Sequence, residues 1–294
     1  MPILQVSAGD LPDAAVLAAA VAGLPAAAPV VILLHGYRFS PASPQHDPHR
    51  HILADNPDPD CWKAISWPRH LGLSGGQGLA IGFGWEARGT IWAAHAQAKG
   101  SAVALARLIR RLRQIDPHRP VHIFAHSLGA RVAFCALTLL PPGAVQRLIL
   151  LAAALFRPEA RAALATPAGQ TAQVFNVLGR ENLMFDLLLR AALPHLGASL
   201  GRGNIAVPNW LDLPLDDPAS LLRLADIGYP IPMPAARVCH WSGYLRPGVW
   251  RLYRDILLHP AQTPLAYLQD QLAAGRQLPV AVKFTLPFRR HRAS

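Results

Sequence analysis

Apolar residues in this chain gather in short, nearly unbroken runs separated by longer amphipathic segments. Val30 to Leu34 (VVILL), Leu79 to Phe83 (LAIGF), Val121 to Phe124 (VHIF), Leu148 to Leu151 (LILL) and Val174 to Leu178 (VFNVL) read as strands, with Arg237 to Cys239 a weaker sixth. None alternates polar with apolar positions, which is the pattern of strands buried on both faces. The clearest helix spans about Ile91 to Gln114. There Val103, Leu105, Leu108, Ile109 and Leu112 mark an apolar stripe, and Arg107, Arg110, Arg111 and Arg113 fall mostly outside it. Asp116-Pro117 ends it, because the residue before a proline is pushed out of helical conformation. Further helices are expected after Ser127, near Pro158 to Leu164 and over about Val249 to Leu258, and the stretch from Ala14 to Leu34 reads as a helix followed by a strand. Strands alternating with helices predict a mainly parallel sheet with helices on both faces, an α/β fold.

Two stretches depart from that alternation. Residues 40–76 are rich in Pro, His and Asp, and residues 187–235 mix apolar segments with turns. Both are expected to be cap-like insertions at one end of the sheet, of the kind that form lids and binding loops. No long linker, charged tract or fixed repeat divides the 294 residues, so 1–294 is expected to form one domain.

With 52% hydrophobic and 15% charged residues, the chain can bury a large core, which excludes extended disorder. A net charge of +11 would suit a nucleic-acid partner if the cations were clustered. They are scattered, and the one dense run, Arg289-Arg290-His291-Arg292, reads as a solvated tail. No nucleic-acid partner is therefore expected, only a weak attraction for anionic substrates or membrane surfaces. Cys61, Cys135 and Cys239 have no paired spacing, which argues against a disulfide framework or a cysteine zinc site and fits a cytoplasmic setting. The opening residues carry no basic segment, and Gly23, Pro25 and Pro29 break the apolar stretch behind them, so no stable membrane insertion is expected.

Candidate chemistry centres on Ala125-His126-Ser127-Leu128-Gly129, between a strand and a helix. A sharp strand-to-helix corner exposes a rigid serine and aims the following N–H groups at a developing oxyanion, and small flanking residues let strand and helix approach. An ordinary helix cap at Ser127 is the plainer alternative. The strand VVILL ends in His35-Gly36, which leaves the N–H of Tyr37 free to act with that of Leu128 as a two-donor oxyanion hole.

Through these two motifs and a late histidine the chain resembles the α/β-hydrolase superfamily over about residues 28–258, most of all bacterial serine hydrolases whose corner reads A-H-S-[LM]-G. The resemblance implies the α/β-hydrolase fold, the chain order serine, acid, histidine, and esterase-like acyl transfer on a small-molecule acyl substrate without cofactor or metal. His240, in RVCHWSGYLRP, is the candidate base. Superfamily members often carry G-x-x-D after the strand equivalent to VFNVL, where this chain has Gly179-Arg180-Glu181-Asn182. Glu181, one position early, is preferred as the acid, with Asp186 one helical turn later and the Asn182 amide itself as alternatives. A metal site at His46, Asp47, His49 and His51 is a further alternative. Arg38, Arg180 and Arg246 are read as ion-pairing or loop-anchoring residues that could instead bind an anion. Rival functions are acyl transfer to an alcohol or amine, and a binding protein on a hydrolase scaffold, which Asn182 favours.

Overall fold

The computed structural model describes residues 3–275, so the basic run at 289–292 lies outside the described residues. Seven strands, β1 (Leu4–Ser7), β2 (Val30–Leu34), β3 (Leu79–Gly84), β4 (Val121–His126), β5 (Arg147–Leu151), β6 (Gln173–Leu178) and β7 (Trp210–Pro214), form one sheet in the order β1-β3-β2-β4-β5-β6-β7. Every neighbouring pair is parallel. The side chains of β2 divide by twos. Val30, Ile32 and Leu34 pack on one face and Val31 and Leu33 on the other, all with no solvent exposure. A strand covered on both sides has no polar position to spare, hence the unbroken apolar runs.

Helices α1 (Ala14–Ala22), α2 (Trp67–His70), α3 (Ile91–Ile115), α4 (Gly129–Leu137), α5 (Arg157–Leu164), α6 (Pro167–Thr171), α7 (Leu183–Ala192), α8 (Pro218–Asp226), α9 (Ser242–Leu245), α10 (Val249–Leu258) and α11 (Leu265–Gly275) cover it. Leu17, Leu105, Val132 and Ala160, from α1, α3, α4 and α5, share the first face. Trp67, Leu224, Tyr244, Leu252 and Leu268, from α2, α8, α9, α10 and α11, share the second. In α3 the buried stripe runs through Ala94, Ala98, Ala102, Leu105, Ile109 and Leu112. Val103, expected in it, lies two residues from Leu105 and so on the opposite side of the helix, where it is exposed. Thr90 caps the start through Oγ1, and extended Asp116 ends it before Pro117.

Three expectations change. Arg237–Cys239 is irregular chain, not a strand. The edge strand β7 comes instead from inside 187–235, so that stretch supplies a strand and α8 to the body of the fold rather than being wholly a cap. Residues 40–76 are likewise partly core: Trp67 is fully buried, edge-on to Phe124 at 5.1 Å between ring centres.

The chain leaves β2 for β3 on one side of it, returns through α3 to β4 on the other, and leaves β4 for β5, farther out on that side. Adjacent carboxyl ends of β2 and β4 therefore diverge in their onward connections, and parallel sheets place their binding crevices at such a reversal of strand order.

Candidate active site

β4 ends at His126 and α4 begins at Gly129, which leaves Ser127 and Leu128 to turn the corner. Ser127 has φ +53, a left-handed conformation that costs a residue with a Cβ about 1–2 kcal/mol. Three backbone hydrogen bonds hold it there. Ser127 N–H donates to Leu151 O at 2.9 Å, and Ser127 O accepts from the N–H groups of Ala130 and Ala154, each at 3.1 Å. The end of β5 thus braces the corner, and Ala152 there is left-handed too, at φ +46. No glycine or asparagine marked that position in the sequence.

The end of β2 lies directly against this corner. A Cβ on Gly36 would sit 2.7 Å from Ser127 Cβ, and one on Gly129 2.7 Å from the carbonyl oxygens of Leu34 and His35. His35 is buried, with Nδ1–H donating to Gly36 O at 2.9 Å and Nε2 accepting from Trp85 N–H at 2.9 Å. Burial above all pushes its pKa down to about 3, so the ring stays neutral and keeps that tautomer. Gly36 C=O and Tyr37 N–H belong to one trans peptide, so His35 fixes the N–H on the opposite side. Tyr37 N–H and Leu128 N–H donate to no backbone group among the described residues.

His240 reaches the site on an irregular loop tied down by Cys239 N–H donating to Glu181 O at 2.8 Å. Its ring lies between Phe185, stacked at 4.7 Å, and His126, at 4.5 Å. His126 Nε2 bonds to His240 O at 3.0 Å. Burial, and secondarily His126, hold His240 well below the ordinary imidazole value, and burial brings His126 to about 4. His240 Nδ1–H donates to Oδ1 of Asn182 at 2.6 Å, which leaves Nε2 with its lone pair free. No hydrogen bond joins Ser127 Oγ to His240 among the described residues. Both open onto the same cavity, and contacts of this kind tighten when substrate binds.

The two carboxylates expected to orient His240 are engaged elsewhere. Glu181 is tucked beneath the turn at Gly179, where a side chain on that glycine would strike its carboxylate, and it pairs with Arg246 at 3.4 Å; both side chains are 5% exposed. Asp186 is buried and accepts from Ser199 Oγ at 2.8 Å. The turn Arg180–Asn182 sends residue 181 inward and presents residue 182 to the histidine. Arg180 bonds Asp216 at 3.2 Å.

A cavity of about 900 Å³ lies over the corner, with Ser127, Leu128, Tyr37, Asn182 and His240 in its wall. Part of α7 and the loop 44–63 line its wall, the loop lying within the stretch 40–76 that was expected to form a cap. The histidines of that loop point apart. His49 is buried against Gly82 and Gly84, whereas His51 Nε2 turns to Cys61 Sγ at 3.2 Å. No group of three or more His, Cys, Asp or Glu among the described residues could hold a metal ion. No described helix is long and apolar enough to cross a membrane.

Residues 64–158 match the model of a family described as alpha/beta hydrolase of unknown function (DUF900), a stretch that includes β3, α3 and the corner at Ser127. No curated protein matches the chain. Among solved structures, the chain is similar to TT1662 from Thermus thermophilus, with 14% identity over 80% of this chain and 90% of that one at a TM-score of 0.44. It is also similar to a lipase-esterase related protein from Clostridium acetobutylicum, with 9% identity over 65% and 87% at a TM-score of 0.35. For MenH from S. aureus the values are 10%, 65%, 85% and 0.31.

Proposed function

We propose that this chain, an α/β hydrolase by its sheet and by the family model it matches, is a serine hydrolase that cleaves a carboxylic ester or related acyl bond. The observation that carries the reading is a serine strained into φ +53 that shares one cavity with a histidine whose Nδ1 is tied to Asn182. Strain of this kind persists only where surrounding structure enforces it, and it gathers at sites of function. In the proposed reaction Ser127 Oγ attacks the acyl carbonyl and His240 Nε2 takes its proton. The N–H groups of Tyr37 and Leu128 receive the oxyanion, and the proton passes to the leaving alcohol. Water then attacks the acyl-enzyme by the same steps in reverse and frees the acid.

Asn182 supports a second reading, a binding protein with an idle serine, since an amide stabilises an imidazolium less than a carboxylate does. Reaction with a fluorophosphonate probe separates the two. Wild type should be labelled and Ser127→Ala should not; folded wild type that stays unlabelled would leave only the binding role.

A further inference from the structure

The cavity wall holds three cations that no carboxylate pairs directly. Arg38, Arg50 and Lys63 line it, and among the described residues none of the three makes a salt bridge. Arg180 and Arg246, by contrast, each have a carboxylate partner. Lys63 Nζ sits 3.6 Å from the centre of the Trp241 ring, which places the ammonium beside the residue that follows His240. Arg38, the neighbour of Tyr37, is held left-handed at φ +75 by its N–H donating to Ala87 O at 2.9 Å.

Asp47, Asp58 and Asp186 line the same cavity; Asp47 Oδ1 accepts from His49 N–H at 2.9 Å, Asp58 Oδ1 from Asp60 N–H at 3.0 Å and Asp186 Oδ2 from Ser199 Oγ–H at 2.8 Å, and none of them pairs with Arg38, Arg50 or Lys63. His51 faces the same space. Burial first and Lys63 second push it down to about 4, so it adds a neutral polar group rather than charge. Ile91, Leu128, Phe185, Leu188 and Leu189 make part of the same cavity wall apolar.

We propose that the substrate is an ester with an apolar acyl chain whose alcohol half bears an anionic group, a phosphate or a carboxylate, received by Arg38, Arg50 and Lys63; the ester half of this rests on the serine-hydrolase reading. Guanidinium forks and ammonium groups make their strongest hydrogen bonds to such oxyanions. The anion belongs to the alcohol half because Lys63 lies over the ring of Trp241, the residue that follows the histidine that protonates the leaving oxygen. Arg38 and Arg50 are also exposed, within reach of the solvent into which the first product departs. The acyl chain stays against the apolar part of the wall until water arrives. The acyl–oxygen bond breaks as the bond to Ser127 Oγ forms, the alcohol leaves with the proton carried by His240, and water supplies the oxygen and protons that release the acid.

Binding of non-hydrolysable ethers tests the charge preference apart from the chemistry. Calorimetry would compare the decyl ether of glycerol, the decyl ether of glycerol phosphate, a decyl ether ending in a carboxylate, and inorganic phosphate alone. At least one anionic ether should bind tenfold or more tightly than the neutral one, with free phosphate much weaker than the phosphate ether. That preference should fall about tenfold in Arg38→Gln/Arg50→Gln and in Lys63→Gln, and should shrink with added salt. Equal binding of charged and neutral ethers, or a preference these variants leave untouched, would overturn the proposal. Tight binding of inorganic phosphate, equal to that of its ether, would overturn the amphiphile and leave a phosphate site. Fluorophosphonate labelling of the same preparations reads the hydrolase function separately. Labelled Ser127 without a charge preference sinks this inference alone, and a charge preference with unlabelled Ser127 sinks the hydrolase reading and with it the ester.

Discussion

Asn182→Asp should raise kcat on a p-nitrophenyl ester about ten- to a hundredfold and move the acid limb of the pH–rate profile upward. In the proposed reaction His240 must be neutral to accept the serine proton, and burial beside His126 already keeps it so well below pH 6.5. The wild-type acid limb therefore lies below the ordinary histidine range. What the site lacks is support for the imidazolium once the proton has moved, since Asn182 offers Nδ1–H a dipole and no charge. A carboxylate in the same place would attract that cation by at most about 4 kcal/mol at 4 Å and an effective dielectric constant of 20. Its own loss of hydration offsets part of this, and about 1.4–2.7 kcal/mol corresponds to the stated gain. The same attraction raises the histidine pKa, so the variant should lose activity on acidification sooner than wild type while exceeding it at pH 8. A variant with unchanged kcat and an unmoved acid limb would mean that residue 182 does not act on His240 during turnover.

Glu181→Leu should cost about 3 kcal/mol of folding stability and leave turnover per folded molecule nearly intact. Glu181 and Arg246 are both 5% exposed, and removing one partner strands the other's charge away from water. Arg246 also donates to Leu215 O and Pro232 O, so it fastens the end of α9 to the chain beyond β7 and cannot swing out to solvent. The pair is imperfect, with Glu181 Oε2 and Arg246 Nε lacking partners, so the double change Glu181→Leu/Arg246→Met should recover part of the loss. Denaturant titration measures the stability, and active-site titration with the probe corrects kcat for folded protein. Full stability with collapsed kcat would return Glu181 to the catalytic role its position suggested.

Much of the sheet was readable because its inner strands meet nothing but apolar side chains on either face. The edges were not. β1 and β7 are short and partly exposed, Leu4–Ser7 beside a turn and Trp210–Pro214 between prolines, so their burial patterns never form a run. At the site, Ser127, Tyr37 and Leu128 follow from the corner motif, since close approach of β2 and β4 demands Gly36 and Gly129 at fixed places. The partner of His240 does not follow from spacing. One short helical turn decides whether 181 or 182 meets the histidine, and burial against Arg246 keeps the Glu181 carboxylate away from it. Phe185, stacked on His240, sits in the apolar run LMFDLLL, where nothing separates a site aromatic from a core one.

Position 127 adopts a backbone shape in which glycine would rest without steric penalty. A molecule that surrendered its hydroxyl there would tolerate heat or denaturant better by up to about 1 kcal/mol, after allowing for the looser unfolded chain that glycine brings. If Ser127 is the nucleophile proposed, durability and reactivity oppose each other at a single residue, and a search for hardier versions of this protein that scored survival alone would drift toward inert ones.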